Sequence, residues 1–266
     1  MGYEVRVPGP LIEFEDVTVL RDRSTALDGL TLRIDDGERV AILGPNGSGK
    51  STLVEALTRE VYPLSGRPGS RLRIYGRDTW NLFELRSLLG IVTNELVRTL
   101  TRRHSAYETA LSGFFGSVGV WPHHEVTAEM ERRASAALEL LEVAHLAERP
   151  LVEMSSGEAR RAVIARALVH QPRALVLDEP TNSLDVRGRR ELRSAMSRLA
   201  QSGVSLVLVT HQLEDLVPEI DRIVTLRRGR VLHDGTKQEI LRPEVLEEVF
   251  GTEVELREID GVHLLW

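Results

Sequence analysis

The chain has 266 residues, 42% of them hydrophobic, which is enough to bury the core of one large α/β domain. It contains no cysteine, so disulfides, thiolate metal sites and cysteine nucleophiles are excluded, and a reducing compartment such as the cytoplasm is expected. The formal net charge of -6 argues against a general nucleic-acid binder, because such proteins usually need a basic surface to neutralise phosphates.

Neither a secretory signal nor a membrane span is predicted. Residues 1–10 carry no basic segment followed by an apolar stretch. The longest apolar runs, such as Val204–Val209, cover about a third of the roughly 20 residues that a membrane helix needs. A role at a membrane is therefore expected to depend on a partner.

The first third of the chain has the pattern of strands around one helix. A helix is predicted from Gly49 to about Arg59, and a loop rich in Pro, Gly and Ser follows over residues 62–70. Apolar residues alternate or run together in segments that predict strands at Leu11–Val19, Leu30–Ile34, Arg39–Leu43 and Arg71–Tyr75.

The pattern changes to helical periodicity between about Asn94 and Gln171, with amphipathic helices predicted over Val126–Leu141 and Ser156–Val169. Strand and helix then alternate. The predicted elements are strands at Ala174–Leu177, Val204–Val209, Ile223–Leu226 and Arg230–His233, with a helix at Val186–Ala200. Buried apolar strands that alternate with helices predict a largely parallel sheet.

The strongest motif lies between the strand Arg39–Leu43 and the first helix and fits the pattern G-x-x-x-x-G-K-[ST]. It consists of Gly44, Pro45, Asn46, Gly47, Ser48, Gly49, Lys50, Ser51 and Thr52. Glycines let backbone N–H groups converge on phosphates, Lys50 would reach the β- and γ-phosphates, and Ser51 would offer a hydroxyl to Mg²⁺. A glycine-rich turn that only caps a helix is the alternative, and the strand and helix on either side disfavour it. The motif predicts Mg-ATP binding.

A second motif, of two carboxylates, ends the strand Ala174–Leu177. Asp178 would face the metal, and Glu179 would orient and deprotonate an attacking water. Alone, this segment would be interpreted as a buried strand that leaves the core through charged residues. Together with the phosphate loop it predicts ATP hydrolysis.

Between these motifs, Met154 is followed by Ser155, Ser156, Gly157 and Glu158 at the start of a predicted helix. Alone, the segment would be interpreted as a helix cap. In its order and spacing it resembles the signature motif of ATP-binding-cassette (ABC) ATPases. The resemblance implies that these residues contact the γ-phosphate of ATP bound to the opposite subunit.

Two further segments are similar to that family. Ser183-Leu184-Asp185 resembles the D-loop, which implies a nucleotide contact through Asp185. His211, just after the strand Val204–Val209, is similar to the switch histidine. The resemblance implies that His211 contacts the γ-phosphate and holds Glu179 and the attacking water in place.

The resemblance covers about residues 11–235 and implies the fold class. This is an α/β fold of the P-loop NTPase type, RecA-like with a mostly parallel sheet, an antiparallel β subdomain and an inserted α-helical subdomain. A single ABC ATPase domain over residues 1–266 is expected. Its expected parts are a nucleotide-binding core with the β subdomain over 1–93 and 172–235, a helical signature subdomain over 94–171, and a short C-terminal extension over 236–266.

The sequence departs from the family at several positions of the expected site. The usual signature is Leu-Ser-Gly-Gly-Gln, so Ser156 restricts φ relative to glycine and Glu158 adds a charge beside the phosphates. Asn94 stands where the Q-loop of the family has glutamine, and we predict it as a metal ligand. Its side chain is one methylene shorter, so the amide either loses its contact with Mg²⁺ or contacts the ion through a water molecule. Arg21 replaces the aromatic residue that stacks on adenine, and a guanidinium can also stack on a base.

The segment Leu111–Trp121 concentrates two of the five Phe and one of the three Trp residues. In the family this part of the helical subdomain lies near a groove that receives a permease helix. The alternative is that these aromatic side chains fill the core of the subdomain itself.

The C-terminal segment is predicted to contain short helices at Lys237–Leu241 and Pro243–Phe250, then strands at Val254–Leu256 and Val262–Leu265. This tail resembles that of importer ATPases for metal chelates and oxyanions. The Ser-Ser-Gly-Glu signature and residues 111–119 are most similar to the subgroup named for molybdate transport.

The function implied is an ATP-binding and ATP-hydrolysing subunit that powers an ABC transporter, an importer of an oxyanion or a metal chelate. The expected partners are a second copy of the chain, which closes around two ATP molecules, a membrane permease and a solute-binding protein. The expected place is the cytoplasmic face of the cell membrane.

Two alternatives stay open. One is a soluble ABC ATPase that acts without a permease, in regulation or on nucleic acid or ribosomes. Such proteins usually carry two cassettes or a long coiled-coil insertion, and this chain has neither. The other is a regulatory module that binds ATP and scarcely hydrolyses it, which is motivated by Arg21, Asn94 and Glu158.

Overall fold

The computed structural model describes residues 10–21, 24–64 and 68–266. Residues 1–9, most of the segment for which no secretory signal is predicted, and residues 65–67 of the predicted loop lie outside the described residues. The strands are β1 (Ile12–Arg21), β2 (Ser24–Ile34), β3 (Arg39–Leu43), β4 (Arg71–Ile74), β5 (Leu89–Val92), β6 (Ala174–Asp178), β7 (Ser205–Thr210), β8 (Arg222–Arg227), β9 (Arg230–Thr236), β10 (Leu256–Ile259) and β11 (Val262–Leu265).

The helices lie mainly in the middle of the chain. They are α1 (Lys50–Leu57), α2 (Leu82–Leu88), α3 (Asn94–Leu100), α4 (Ala106–Leu111), α5 (Ala128–Leu140), α6 (Ser156–Leu168), α7 (Val186–Gln201), α8 (Lys237–Ile240) and α9 (Pro243–Phe250). Short 3₁₀ turns cover Ser112–Phe115, Ala144–Leu146, Leu151–Glu153 and Leu213–Asp215.

The described residues form two compact units. The first contains the described residues up to 80 together with 210–213 and 220–266, and the second contains 81–209 and 214–219. The segment 94–171, predicted as the helical subdomain, lies within the second unit. The predicted bounds of the subdomains stay a prediction.

The first unit is built on β-sheet. β1 pairs antiparallel with β2 and β4, while β3 pairs parallel with β8, which pairs antiparallel with β9. In β2, Leu30, Leu32 and Ile34 are buried and the residues between them are exposed, as expected for a strand with one face on the core. Residues 40–43 of β3 are all buried, which explains their continuous apolar run.

The second unit combines parallel strands with helices. β6 lies between β5 and β7 and is parallel to both. All five residues of β6 are buried, which accounts for its apolar sequence. Helices α4, α5 and α6 pack on one another, and α6 also packs on α7. The strand pairings agree with the largely parallel sheet predicted from the sequence.

Helix α2 is not predicted by the sequence pattern. Within this helix only Leu85 is buried, whereas Leu82 and Phe83 are 47% and 64% exposed. Its apolar residues therefore do not form one buried face, and no helical period is visible. The side chain of Asn81 accepts a hydrogen bond from Phe83 N at 2.9 Å and caps the start of the helix.

The predicted strand Val254–Leu256 is wrong, because the strand runs over Leu256–Ile259. Asp260 and Gly261 have φ values of +51° and +74° and form a two-residue turn, for which Asp-Gly is a favoured sequence. This turn sets Ile259 opposite Val262 and shifts the strand toward the C-terminus. The other predicted strands and helices agree with the structure to within a few residues, except that β2 begins six residues earlier than predicted, at Ser24.

No helix in the described parts of the chain is long and apolar enough to cross a membrane.

Candidate functional site

The phosphate loop, residues 44–52, connects β3 to α1 and needs glycine at defined positions. Gly49 is the N-cap of α1 and has φ +106°, a conformation that L side chains rarely adopt. A Cβ at Gly44 would lie 2.4 Å from the carbonyl oxygen of Leu226, which is too close for any side chain. The loop therefore follows a path that only a glycine-rich sequence can take.

The chain of the phosphate loop wraps around the ammonium group of Lys50. This residue is 5% exposed, and its Nζ donates hydrogen bonds to the carbonyl oxygens of Gly44 at 2.7 Å and Pro45 at 3.0 Å. Ser48 N donates to the same Pro45 oxygen at 3.2 Å. A positive charge is thus held at the mouth of the loop with its side chain already ordered.

Helix α1 begins with an N-terminus that suits an anion. Among the described residues no side chain caps this helix, and its first turn contains no acidic residue. The first N–H groups of a helix lack partners within it and carry the positive end of the helix dipole. A phosphate fits such a site, and Ser51, which is exposed in the first turn, offers a hydroxyl for its metal ion.

Arg21 and His211 also belong to the first unit. Arg21 Nη1 forms an ion pair with Glu55 Oε1 of α1 at 3.0 Å, and the arginine side chain is 54% exposed. The predicted adenine-stacking residue is therefore tied to the helix that follows the phosphate loop. His211 follows β7 directly and is half-buried. The predicted contacts of both residues with nucleotide stay predictions.

Asp178 and Glu179 end β6 in the second unit. Asp178 is 9% exposed. Glu179 has φ +46°, which is strained for a residue with a side chain. Its N donates to Val209 O at 2.7 Å, and its carbonyl oxygen accepts from Asn182 N at 3.1 Å. The backbone that carries the predicted catalytic carboxylate is thus held in an unusual conformation at a strand end.

The signature segment forms a closed cap on α6. Ser155 Oγ accepts from Glu158 N at 3.3 Å, while Glu158 Oε2 accepts from both Ser155 N and Ser155 Oγ at 2.8 Å. This is a reciprocal capping box. Burial raises the pKa of Glu158, but the hydrogen bonds from Ser155 and the charges of Arg149 and Arg161 together leave the pKa below its usual value. Glu158 is therefore an ionised carboxylate at the N-terminus of α6.

The other signature residues have structural reasons as well. Ser156 is the first residue of α6, and helical φ is open to serine, so the expected restriction carries no cost. A Cβ at Gly157 would lie 3.0 Å from Gly188 Cα, so glycine allows α6 and α7 to approach closely. Asp185, the predicted D-loop residue, caps α7 through a hydrogen bond of 2.7 Å from Gly188 N to its Oδ1.

The side chain of Asn94 has a partner within the protein, and its predicted contact with Mg²⁺ stays a prediction. Its Oδ1, the atom expected to approach Mg²⁺, accepts a hydrogen bond of 2.8 Å from Nη2 of Arg160. Arg160 and Gly188 were not predicted as site residues from the sequence. Arg160 could have been suspected because it stands within the apolar run of α6, where a buried charge requires partners.

The aromatic segment 111–121 is partly packed within its own unit. The ring of Phe114 lies edge-on to His170 at 5.0 Å between centroids, and Phe115 stacks on His124 at 4.0 Å. Trp121 is 47% exposed. The two phenylalanines thus favour the predicted packing inside the subdomain, while Trp121 leaves apolar surface in contact with solvent.

In the described parts of the chain, no three or more His, Asp or Glu side chains gather into a group that could hold a metal ion. In nucleotide sites Mg²⁺ usually takes most of its ligands from the bound phosphates and water.

Comparison with known proteins identifies the family of this chain. The family model described as ABC transporter matches residues 27–182. An uncharacterised ABC transporter ATP-binding protein, YlmA of Bacillus subtilis, is 30% identical over 258 residues, with 96% of this chain and 94% of the relative covered. The hemin import ATP-binding protein HmuV of Bradyrhizobium diazoefficiens is 32% identical over 260 residues, with 95% and 92% covered. The sulfate/thiosulfate import protein CysA of Yersinia pseudotuberculosis is 31% identical over 253 residues, with 94% and 67% covered.

Solved structures give the same result. The cbiO1 protein of Clostridium perfringens, part of an ABC transporter complex, superposes with a TM-score of 0.74 at 27% identity, covering 90% of this chain and 93% of that one. A bacterial ABC transporter cassette solved as a dimer, MJ0796, gives a TM-score of 0.69 at 26% identity, covering 85% and 98%. These likenesses confirm the predicted P-loop NTPase fold. The chain therefore belongs to the ABC transporter family, as an ATP-binding cassette that hydrolyses ATP to power transport.

Proposed function

We propose that two copies of this chain close around two ATP molecules and drive a membrane permease that imports an oxyanion or a metal chelate. The observation that carries the proposal is the pair of helix N-termini, one behind the phosphate loop at residues 44–52 and one behind the signature at Ser155. Each ATP would lie between the phosphate loop of one copy and the signature of the other. A cassette of this family solved as a dimer supports the pairing.

In this arrangement the phosphate loop would bind ATP, Lys50 would neutralise the β- and γ-phosphates, and Ser51 and Asp178 would serve as ligands to Mg²⁺. Bound Mg²⁺ would neutralise charge that develops on the phosphate oxygens. Glu179 takes a proton from the water that attacks the γ-phosphorus, the bond to the ADP oxygen breaks, and His211 holds the γ-phosphate.

The remaining predicted residues would complete the nucleotide site from its edges. Arg21 would stack on adenine, and Asp185 with the signature would face the ATP of the other copy. A single copy would then be inactive, because it would not contain all the residues of one ATP site.

The solute class is supported by the relatives and by the tail. Relatives of similar identity are named for import of hemin and of sulfate or thiosulfate, which are a metal chelate and oxyanions. The helices α8 and α9 and the hairpin of β10 and β11 form the C-terminal tail, for which the sequence predicts a likeness to importer ATPases. Importers of this kind would add a solute-binding protein as a third partner, and the cassette would sit at the cytoplasmic face of the membrane.

The proposal is tested by comparing ATP hydrolysis of the wild type with Glu179→Gln. The wild type is expected to turn over ATP, and Glu179→Gln to lose at least about 100-fold in rate while it accumulates as an ATP-bound dimer on gel filtration. Equal and near-zero rates in both proteins would favour the regulatory module that binds ATP without hydrolysis.

The transport partner is tested by affinity purification of the tagged protein from detergent-solubilised membranes. A membrane permease is expected to co-purify in a defined ratio with the cassette. Recovery of ribosomes or nucleic acid in place of a permease would overturn the transport assignment in favour of a soluble ATPase.

A further inference from the structure

A buried arginine on α6 joins the segments of the second unit that carry the predicted catalytic groups. Arg160 is 6% exposed. Its Nη1 donates to the carbonyl oxygen of Glu179 at 2.9 Å, and its Nη2 donates to Asn94 Oδ1 at 2.8 Å and lies 3.4 Å from the carbonyl oxygen of Asn182. A guanidinium is planar and rigid, so the contacts fix the relative positions of these three segments.

The contact with Glu179 acts on a strained backbone. At φ +46°, this residue adopts a conformation that persists only where the surroundings over-determine it. Its carbonyl oxygen accepts from Asn182 N at 3.1 Å as well as from Arg160, and its N–H is held by Val209 O. Arg160 therefore supplies one of the hydrogen bonds to the Glu179 backbone that set the direction of its side chain, and the Oε2 atom of that side chain also accepts from Asn182 Nδ2 at 3.5 Å.

The surroundings of Arg160 are acidic. Burial lowers the pKa of Arg160, while the nearby carboxylates of Asp215, Asp178 and Glu179 act in the opposite direction. The Asp215 carboxylate itself accepts a hydrogen bond from Thr181 Oγ1. A buried cation among three carboxylates balances charge that would otherwise repel within the strand end.

The contact with Asn94 places that residue in a structural role. Asn94 is the first residue of α3, which is separated from β5 by the N-cap residue Thr93, and its amide oxygen accepts a hydrogen bond from a guanidinium. An amide oxygen that faces a cation is not oriented as a metal ligand. The side chain of Asn94 instead holds the Nη2 group of Arg160 in place.

We propose that Arg160 is a positioning residue for ATP hydrolysis. It holds the backbone of Glu179 in its strained conformation and uses Asn94 as an anchor for its own side chain. This inference rests on the proposed role of Glu179 as the group that takes the proton from water.

The test compares kcat and KM for ATP in Arg160→Gln, Arg160→Lys and the matched control Arg161→Gln. Arg161 lies on the same helix, is 5% exposed, and pairs with Glu191 at 2.9 Å. Arg160→Gln is expected to lose on the order of tenfold in kcat with KM within about twofold, since a charge-assisted hydrogen bond is lost but the phosphate loop is not touched. Arg160→Lys should recover part of the loss, because an ammonium can reach one acceptor but not both. Arg161→Gln should lose thermal stability and keep its kcat.

Equal losses of kcat in Arg160→Gln and Arg161→Gln would show a general packing role and overturn the inference. A wild-type rate in Glu179→Gln would sink the proposed function itself. An inactive Glu179→Gln beside a fully active Arg160→Gln would sink only the role of Arg160.

A second variant decides the question if Arg160→Gln does not fold. Asn94→Ala removes only the anchor, and a few-fold loss of kcat is expected, with no change in the Mg²⁺ concentration that gives half the maximal rate. A raised Mg²⁺ requirement would return Asn94 to the metal shell and overturn the inference.

Discussion

The N-termini of α1 and α6 are both expected to face phosphate, yet they are built in opposite ways. Helix α1 starts from a glycine with positive φ, and no described side chain caps it. Helix α6 starts from Ser155, with Glu158 closing a capping box over the same kind of N–H groups. The N-terminus of α1 is uncapped and begins with a cation, Lys50. The N-terminus of α6 is already hydrogen-bonded to its own carboxylate, Glu158.

This difference has a physical consequence for a shared ATP site. An open helix end with an ordered lysine can bind the phosphates of ATP within a single copy. At the capped end, phosphate from the second copy meets a carboxylate and N–H groups that are already bonded. The exchange of Glu158 for phosphate would make ATP-driven pairing of two copies weaker and more reversible than binding of the first ATP.

Substitution of Lys50 should have the largest effect. In Lys50→Met we expect at least about a 100-fold loss of ATP hydrolysis, because the cation at the open end is removed. The hydrogen bonds to Gly44 and Pro45 are also lost, so the loop should bind nucleotide weakly. Equilibrium binding of a fluorescent ATP analogue and steady-state hydrolysis check this, and tight binding at wild-type affinity would contradict it.

Gly44→Ala should have an intermediate effect. The added Cβ would meet the Leu226 carbonyl oxygen at 2.4 Å, so the loop must shift, at a cost of roughly 1–3 kcal/mol in the free energy of unfolding and with weaker ATP binding. Gly47→Ala is the matched control. At Gly47 no described atom lies within 4 Å of the added Cβ, so the variant carries only the cost of φ +77°, about 1 kcal/mol. Urea denaturation measures both, and equal losses would remove the steric argument.

Glu158→Gln should have the smallest effect and the opposite sign. Glutamine can keep the capping box but removes the negative charge, so the ATP-dependent dimer should become a few-fold more stable. Glu239→Gln is the matched control, because Thr236 and Glu239 form the same capping box on α8, in the C-terminal tail. Sedimentation of both variants on a Glu179→Gln background measures the difference. A stabilised dimer in both variants would point to net charge in place of the signature.

The lowered pKa of Glu158 also predicts that the stability of the fold depends on pH. Since folding lowers the pKa of Glu158 from its usual 4.5, its carboxylate stabilises the fold at pH values above 4.5. That contribution is lost as the pH falls through the lowered pKa. The difference in the free energy of unfolding between wild type and Glu158→Gln, measured by urea denaturation at several pH values, should therefore be constant near neutral pH. It should shrink in acid by at most about 1 kcal/mol, because the cap is partly exposed. A difference that grows in acid would contradict this.

Local sequence was sufficient to locate the elements whose residue pattern reflects their burial or their backbone conformation. Buried strands such as β3 and β6 are continuous apolar runs, and the phosphate loop needs glycines in a fixed order, so both could be located from residues alone. The Ser155–Glu158 segment could likewise be recognised as a helix cap. Helix α2 was missed because its apolar residues are largely exposed, and the strand β10 was misplaced because an Asp-Gly turn sets its register.

Contacts between distant residues needed the folded chain. The glycines and lysine of the phosphate loop and the carboxylates after β6 are residue types that ATP chemistry requires, so their proposed roles can be recognised in the sequence. The hydrogen bond from Arg160 to Asn94 joins residues 66 positions apart and redirects an amide that its sequence position assigns to metal. Such a contact depends on which side chains packing brings together, because a buried guanidinium takes whatever acceptors lie within reach. The sequence thus identifies the chemistry of the nucleotide site. Packing in the second unit decides which side chains hold the turn at Glu179 in place.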